Sequence, residues 1–411
     1  MAQPLTFRWN GQYADESSAR TNKYIDWDAL LREVQALSSR SCSYDGEHHV
    51  GGRHIVRRFI FADTGERWLV RIPVVPGSDE PLSKDDVSSF WTAKQKFKWE
   101  SEIATMKYLS ERMTTPVPAI HGYSTSIDGN PVKVPYMLMQ CIEGNILYDL
   151  ESGGTDALDE EQKRKVRKAV ASIQCQLANA SISKAGSLIL GPDGEVEIGP
   201  LPSWFGSKGP FTSEIDYFRS WAAHIKYAEF CSANAKFLID NPEDTEYLRD
   251  VKQGTREFAS KLTPIVENAV VKVPFAREGC FPILHRDLGM HNILFDDAFN
   301  VVGVIDWEYA HSAPLEVFST VTNVPYCKFD HEGLHSVPHA EYVKDIMDSD
   351  KGLGQNCGLL DTYNSFWGDL GQCMYYFEEG KAIVYGSLSA RLDEVKVDEV
   401  KAAEVKVDEV K

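Results

Sequence analysis

The stretch 282–308, PILHRDLGMHNILFDDAFNVVGVIDWE, carries four side chains whose types and spacing suit one chemistry: His285, Asp287, Asn292 and Asp306. Phosphoryl transfer from ATP needs a group that orients and deprotonates the acceptor, and Mg2+ held against the phosphates. Mg2+ prefers hard oxygen ligands and usually takes only one or two protein carboxylates. Asp287, on a loop, suits the base. Asn292 offers an amide oxygen without adding charge. Short strands at 293–295 and 301–305, joined by a turn at 296–300, return the chain so that Asp306 faces the same metal as Asn292. Taken singly, each residue has a plainer reading. An Asp at a strand end is usually a cap or turn residue, and a lone His is more often packed in a core than catalytic. His285 is expected to orient the loop. The joint pattern, with strands where a hairpin demands them, raises the four above those readings.

The elements around this stretch divide the chain. Apolar spacing predicts a helix over 25–37, strands over 54–61 and 68–75 with a turn at 63–66, and a helix over 91–113 that Pro116 and Pro118 end. An apolar run at 136–142 reads as a buried strand leading into a linker. After Gly144 the pattern turns helical. Val166, Val170, Ile173 and Leu177 form one face of a helix over 159–180. Further helices are expected at 215–238, 244–270, 340–347 and 362–379. The expected organisation is an N-terminal lobe over 1–142, a helical C-terminal lobe over 143–385 and a low-complexity tail over 386–411. From residue 393 that tail repeats a five-residue DEVK-like unit without aromatics and reads as solvated.

Composition excludes several function classes. The 411 residues carry a formal net charge of −18, the wrong sign for neutralising nucleic-acid phosphate or an anionic membrane surface. No 18-residue apolar stretch is present. There is no GxSxG, HExxH or Walker A motif. The eight cysteines (Cys42, Cys141, Cys175, Cys231, Cys280, Cys327, Cys357 and Cys373) have no metal-type spacing. They read as reduced thiols, and with no basic-then-apolar leader in the first residues the expected location is cytoplasmic.

The 282–308 segment resembles the catalytic and metal loops of the aminoglycoside phosphotransferase and choline kinase-like family, relatives of the protein kinases. Asp306-Trp307-Glu308 is similar to that family's Asp-aromatic-acid ending, and His285-Arg286-Asp287 looks protein-kinase-like. WLVRIPVV, ESEIATMKYL and PYMLMQCIEG follow the order of the family's N-lobe, and other segments resemble uncharacterised fungal members. The resemblance covers roughly 42–371. It implies an α+β, protein-kinase-like two-lobed fold with a small β-rich N-lobe and a larger, mainly helical C-lobe.

The resemblance also implies roles outside the motif. Residues 45–52 (DGEHHVGG) would form the phosphate-covering loop, with Gly51 and Gly52 letting backbone approach phosphate. The loop is not GxGxxG. Arg71 stands where kinases carry a lysine to the α- and β-phosphates. Its partner would be an acid on the next helix, Glu102 or else Glu100; the two face different ways. Gln140, Cys141 and Ile142 would be the inter-lobe hinge, offering backbone groups to adenine, with Cys141 there for packing. The cofactors implied are ATP and Mg2+, and the acceptor a small molecule: an amino alcohol, an aminoglycoside-like or a sugar-like compound. The acidic body favours a cationic acceptor, with Glu308 and Glu316 as candidate acidic neighbours and surface acids as their plainer reading. Two other readings stay open. One keeps the fold but activates a carboxylate or transfers a nucleotidyl group. The other is a pseudokinase that binds without turnover.

Overall fold

The computed structural model describes residues 16–362, apart from 47, 51–52, 78–79, 148–157, 202–207, 225–262, 265, 267–278, 319–328, 333–334, 339 and 355–357. The expected helices at 244–270 and 362–379, the repeat tail, Gly51 and Gly52 lie wholly or mainly outside the described residues. The chain divides into two compact units. One is Met1–Val166 with Leu188–Glu197 and Gly289–Ala310; the other is Arg167–Ser187 with Ile198–Leu288 and His311–Lys411.

The first unit is built on a six-stranded antiparallel sheet of order β1-β3-β4-β6-β5, with β2 also on β3. Its strands are β1 (Cys42–Tyr44), β2 (His49–Val50), β3 (His54–Phe61), β4 (Arg67–Pro73), β5 (Ile120–Ser124) and β6 (Tyr136–Gln140). Alternation drives it: Ile55, Phe59 and Phe61 of β3 and Val70 and Ile72 of β4 are fully buried, each large side chain contributing about 1.5–3 kcal/mol by leaving water. Helices α1 (Glu16–Tyr24) and α2 (Trp27–Ser38) precede the sheet. Asp26 caps α2 by accepting the Ala29 N–H at 2.9 Å, and Leu30 and Val34 pack into the same core as the strands.

The helix expected at 91–113 is α4 (Ala93–Ser110), preceded by a short helix outside that range, α3 (Lys84–Phe90). Ser83 and Asp86 form a capping box for α3, and Thr92 caps α4. Ile103, Met106 and Leu109 of α4 are buried. After β6 the chain passes through Gly144 to β7 (Asn145–Ile146), which pairs with Ile293–Phe295. A Cβ on Gly144 would lie 2.6 Å from Val302 Cγ2 and 3.2 Å from the Phe295 carbonyl. Only glycine lets the linker cross the hairpin so closely.

In the second unit, Ile283–Leu284 pairs antiparallel with His311–Ser312. Phe281 bridges to Ile182, and the Ala313 N–H donates to the Pro282 carbonyl at 3.1 Å. The strand that delivers His285 is therefore held along its length. The helix Glu160–Asn179 buries Val166, Val170, Ile173 and Leu177 completely. Arg167 Nε donates to Asp345 Oδ2 at 2.5 Å, tying that helix to Ala340–Leu353. Among the described residues no helix is long and apolar enough to cross a membrane.

Candidate active site

The hairpin of Ile293–Phe295 and Val301–Val304 belongs to the first unit. Asp296 makes its turn: Oδ1 accepts the Ala298 and Asn300 N–H groups at 2.9 and 2.8 Å, and Oδ2 accepts the Asn300 amide at 2.9 Å. At the open end the Ile305 N–H donates to the Asn292 carbonyl at 2.9 Å. Asn292 is buried, and Asp306 is the next residue after its hydrogen-bond partner, so the two lie at one end of the hairpin. Asp306 has φ 62°, a left-handed conformation that Asp tolerates better than most residues. Trp307 is fully buried and its indole N–H donates to the Val304 carbonyl at 3.0 Å, which anchors the turn holding Asp306.

Arg71 on β4 gathers the acids of this unit. Its Nη1 donates to Glu102, and its Nη2 donates to Asp306 Oδ1 at 2.7 Å and to His54 Nδ1 at 3.1 Å. Glu308 Oε2 lies 3.5 Å away. Glu100 turns elsewhere and accepts from Thr125 Oγ1 at 2.9 Å. Burial works against the Arg71 charge, but Glu102, Asp306 and Glu308 outweigh it and hold the guanidinium protonated. Burial pushes the Glu102 carboxyl up to about 7 against the pull of Arg71, with Asp306 and Glu308 adding to the rise. Burial, then Arg71, drives the His54 imidazolium well below its usual range. His54 is therefore neutral, and since arginine only donates, its Nδ1 is the acceptor.

Sequence reasoning missed His54, Lys98 and Arg53. Lys98 Nζ pairs with Glu308 Oε2 at 2.8 Å and lies 4.3 Å from the Tyr309 ring centroid. Lys98 is one helical turn before Glu102, so helix spacing alone puts both on one face. His54 was legible too: the β3–β4 register opposes Val56 to Arg71, which leaves His54 on the diagonal. Glu308 is thus committed to cations rather than loose on the surface.

Within the stretch expected to cover phosphate, His49 and Val50 pair with Val56 and Ile55 of β3, and before it Tyr44 pairs with Phe59. Asp45 is used as an acceptor by Arg67 Nε at 2.8 Å. At the expected hinge, the Gln140 N–H donates to the Ala119 carbonyl at 2.8 Å and the Cys141 N–H to the Arg67 carbonyl at 3.1 Å. Burial pushes the Cys141 thiol up to about 11, which leaves it no nucleophile at neutral pH. The Ile142 side chain faces Gly303 of the hairpin, whose added Cβ would sit 2.7 Å from it.

His285 and Asp287 belong to the second unit. His285 is buried, and its Nδ1 accepts the Asp287 N–H at 3.2 Å. The ring therefore fixes the backbone that carries the half-buried Asp287. Glu316 of this unit is fully buried in the short helix Leu315–Phe318. Burial, with Glu214 adding to it, pushes the Glu316 carboxyl up to about 7. A carboxyl raised in the folded state binds more protons there than when unfolded, so its contribution is intact at low pH and is lost as pH rises through about 7. Glu316→Gln should flatten the fall in unfolding midpoint between pH 4.5 and 7, measured by urea titrations at each pH. Superimposable pH curves for the two proteins would contradict the burial assigned to this acid.

The chain belongs to the phosphotransferase enzyme family, whose model matches residues 49–317. Its fold class is accordingly α+β and protein-kinase-like. Two curated relatives carry the name altered inheritance of mitochondria protein 9, mitochondrial. The one from Debaryomyces hansenii is 26% identical over 209 residues, covering 50% of this chain and 29% of that protein. The one from Saccharomyces cerevisiae is 25% identical over 370 residues, covering 78% and 54%. The chain thus spans about half or less of the length of these relatives. Among solved structures, Plasmodium vivax ethanolamine kinase aligns with 92% of this chain and 95% of its own, at 11% identity and a TM-score of 0.42. The relatives' mitochondrial names overturn the expectation of a cytoplasmic location. Scattered cysteines argue against an oxidising compartment but do not choose among reducing ones.

Proposed function

We propose that this chain is an ATP- and Mg2+-dependent phosphotransferase that moves the γ-phosphoryl group to a hydroxyl of a small molecule: an amino alcohol, an aminoglycoside-like or a sugar-like compound. Asp287 is the general base and His285 holds its backbone. Asn292 and Asp306 would hold Mg2+, which when bound neutralises charge on the phosphates. The observation that carries the reading is the hairpin return, in which the Ile305 N–H meets the Asn292 carbonyl and so sets an amide oxygen and a carboxylate at one end of the hairpin. Such hard oxygen donors, few in number, suit Mg2+. Membership of the phosphotransferase family supports the reaction class. With the Gln140 and Cys141 N–H groups engaged, adenine would meet the carbonyls of this hinge and the backbone of Ile142. The net charge of −18 favours a cationic acceptor. The relatives' names support a mitochondrial location, which fractionation of the source cells would test.

A second reading, a nucleotide-binding module without turnover, is favoured by one observation. Arg71 donates to Asp306, a carboxylate the metal would need. The test is label transfer from γ-labelled ATP with Mg2+ and a small-molecule extract, with Asp287→Asn as control. Label reaching a small molecule only with Asp287 present supports the phosphotransferase. ADP without a labelled acceptor turns the reading toward carboxylate activation, and AMP or pyrophosphate toward nucleotidyl transfer. Untouched ATP with tight nucleotide binding would leave the inactive module.

A further inference from the structure

Arg71 stands at the strand position expected to supply the phosphate-binding cation, yet three of its donors are turned to protein groups. One Nη1–H goes to Glu102, and the two Nη2–H go to His54 and Asp306, three of the five that a guanidinium has. Its side chain is only 11% exposed. A guanidinium held in this way fixes Asp306 and Glu102 against β4 and presents little charge outward.

Arg53 is placed in the opposite way. It directly follows Gly51 and Gly52 in the sequence. Its carbonyl accepts the Val74 N–H at 2.9 Å, which ties its backbone to the sheet just beyond β4. Its side chain is 66% exposed, and Nη1 lies 3.7 Å from Glu308 Oε1. That same carboxylate is held closely by Lys98, at 2.8 Å, and faces Arg71 at 3.5 Å. An exposed ion pair as long as the Arg53 one is weak, so Arg53 can give up Glu308 at little cost, since Lys98 continues to neutralise it. Its planar fork matches two phosphate oxygens. A backbone anchored to the sheet, an exposed guanidinium and a position beside the Asp306–Arg71–Glu308 network are what a phosphate contact requires.

We propose that Arg53 is the phosphate-contacting residue of the nucleotide site, gripping the phosphate chain of a nucleoside triphosphate, while Arg71 is a positioning residue for Asp306. This rests on the phosphotransferase reading. The full chain is titrated calorimetrically with the β,γ-imido analogue of ATP in excess Mg2+, and the unliganded proteins are melted in parallel. Arg53→Ala should weaken binding by about 10- to 100-fold, the range for a hydrogen bond to a charged group. It should melt with the wild type when unliganded, because the substitution keeps the backbone bond to Val74 and removes only an exposed side chain with a long ion pair to Glu308. Arg53→Lys should recover part of the affinity. Wild-type affinity in Arg53→Ala, or a loss of affinity matched by a lower melting temperature, overturns the assignment and leaves the phosphotransferase reading standing. If the wild type binds no analogue, that reading falls and the Arg53 assignment falls with it.

Discussion

Asp287→Asn is expected to lower turnover by about 10²- to 10⁴-fold, the usual cost of losing a general base, while affinity for Mg·ATP stays near that of the wild type. The asparagine amide keeps the size and much of the hydrogen bonding of the carboxylate but cannot accept the hydroxyl proton. The contact that fixes this loop runs from the backbone N–H of residue 287 to His285 Nδ1, so the substitution leaves it in place. The loss should therefore fall on kcat and spare nucleotide binding. Steady-state kinetics with the acceptor found by label transfer, paired with nucleotide titrations, separate the two quantities. Turnover that survives in Asp287→Asn would sink the base assignment. A joint collapse of turnover and nucleotide binding would move Asp287 from proton transfer to holding the nucleotide.

The parts of this fold that were legible in the sequence are those whose cause is local. The hairpin at 293–304 could be read because two apolar runs flank an Asp-rich turn, and Asp296 makes that turn through its own side chain. The Glu160–Asn179 helix could be read because its buried face repeats every three to four residues. Elements that depend on distant partners could not. The α1 sequence, ESSARTNKY, has no apolar stripe. It is held by Arg20 to Asp86 at 2.9 Å, and by Thr21, whose hydroxyl accepts the Val75 N–H at 3.1 Å. Strand β5, IHGYS, carries a glycine and owes its conformation to pairing with β6. The exposed Leu37 lies on the apolar stripe read for α2, and α3, seven residues long, rests on its capping box of Ser83 and Asp86 with Val87 as its buried residue, too short for a repeating apolar face.

The site shows the same division. The spacing of His285, Asp287, Asn292 and Asp306 is a property of the chain and was open to reading. The Arg71–Asp306 contact joins residues 235 apart, and nothing in either neighbourhood announces it. Arg71 was assigned to phosphate because of where it stands on its strand, whereas its surroundings, three acids and a neutral imidazole, assign it to protein. Position along a strand identifies which face a residue occupies; the partners it meets there are set by the fold.

Arg71→Ala should therefore be the most damaging single change in the first unit, lowering unfolding stability by roughly 3–5 kcal/mol, the range for leaving a buried charge without its partner. Glu102, 2% exposed, would lose the guanidinium that holds it, and Asp306 and Glu308 would face it with Lys98 and the exposed, more distant Arg53 as the cations left near them among the described residues. Neutralising Glu102 relieves that state. Its carboxyl already stands at about 7 with Arg71 present, and removing the guanidinium raises it further. The deficit of the variant should accordingly be largest above pH 7 and shrink as pH falls and Glu102 takes up a proton. Adding Glu102→Gln to Arg71→Ala should recover part of the loss at pH 8 and little at pH 5. Arg71→Lys keeps the charge but cannot span Glu102, Asp306 and His54 with one ammonium, so it should fall between the wild type and Arg71→Ala. Urea unfolding of the four proteins at the two pH values measures all of this. A deficit independent of pH, or no recovery in the double variant, would show that Arg71 stabilises by packing against Trp99, 5.9 Å from its guanidinium carbon, rather than by holding the acids together.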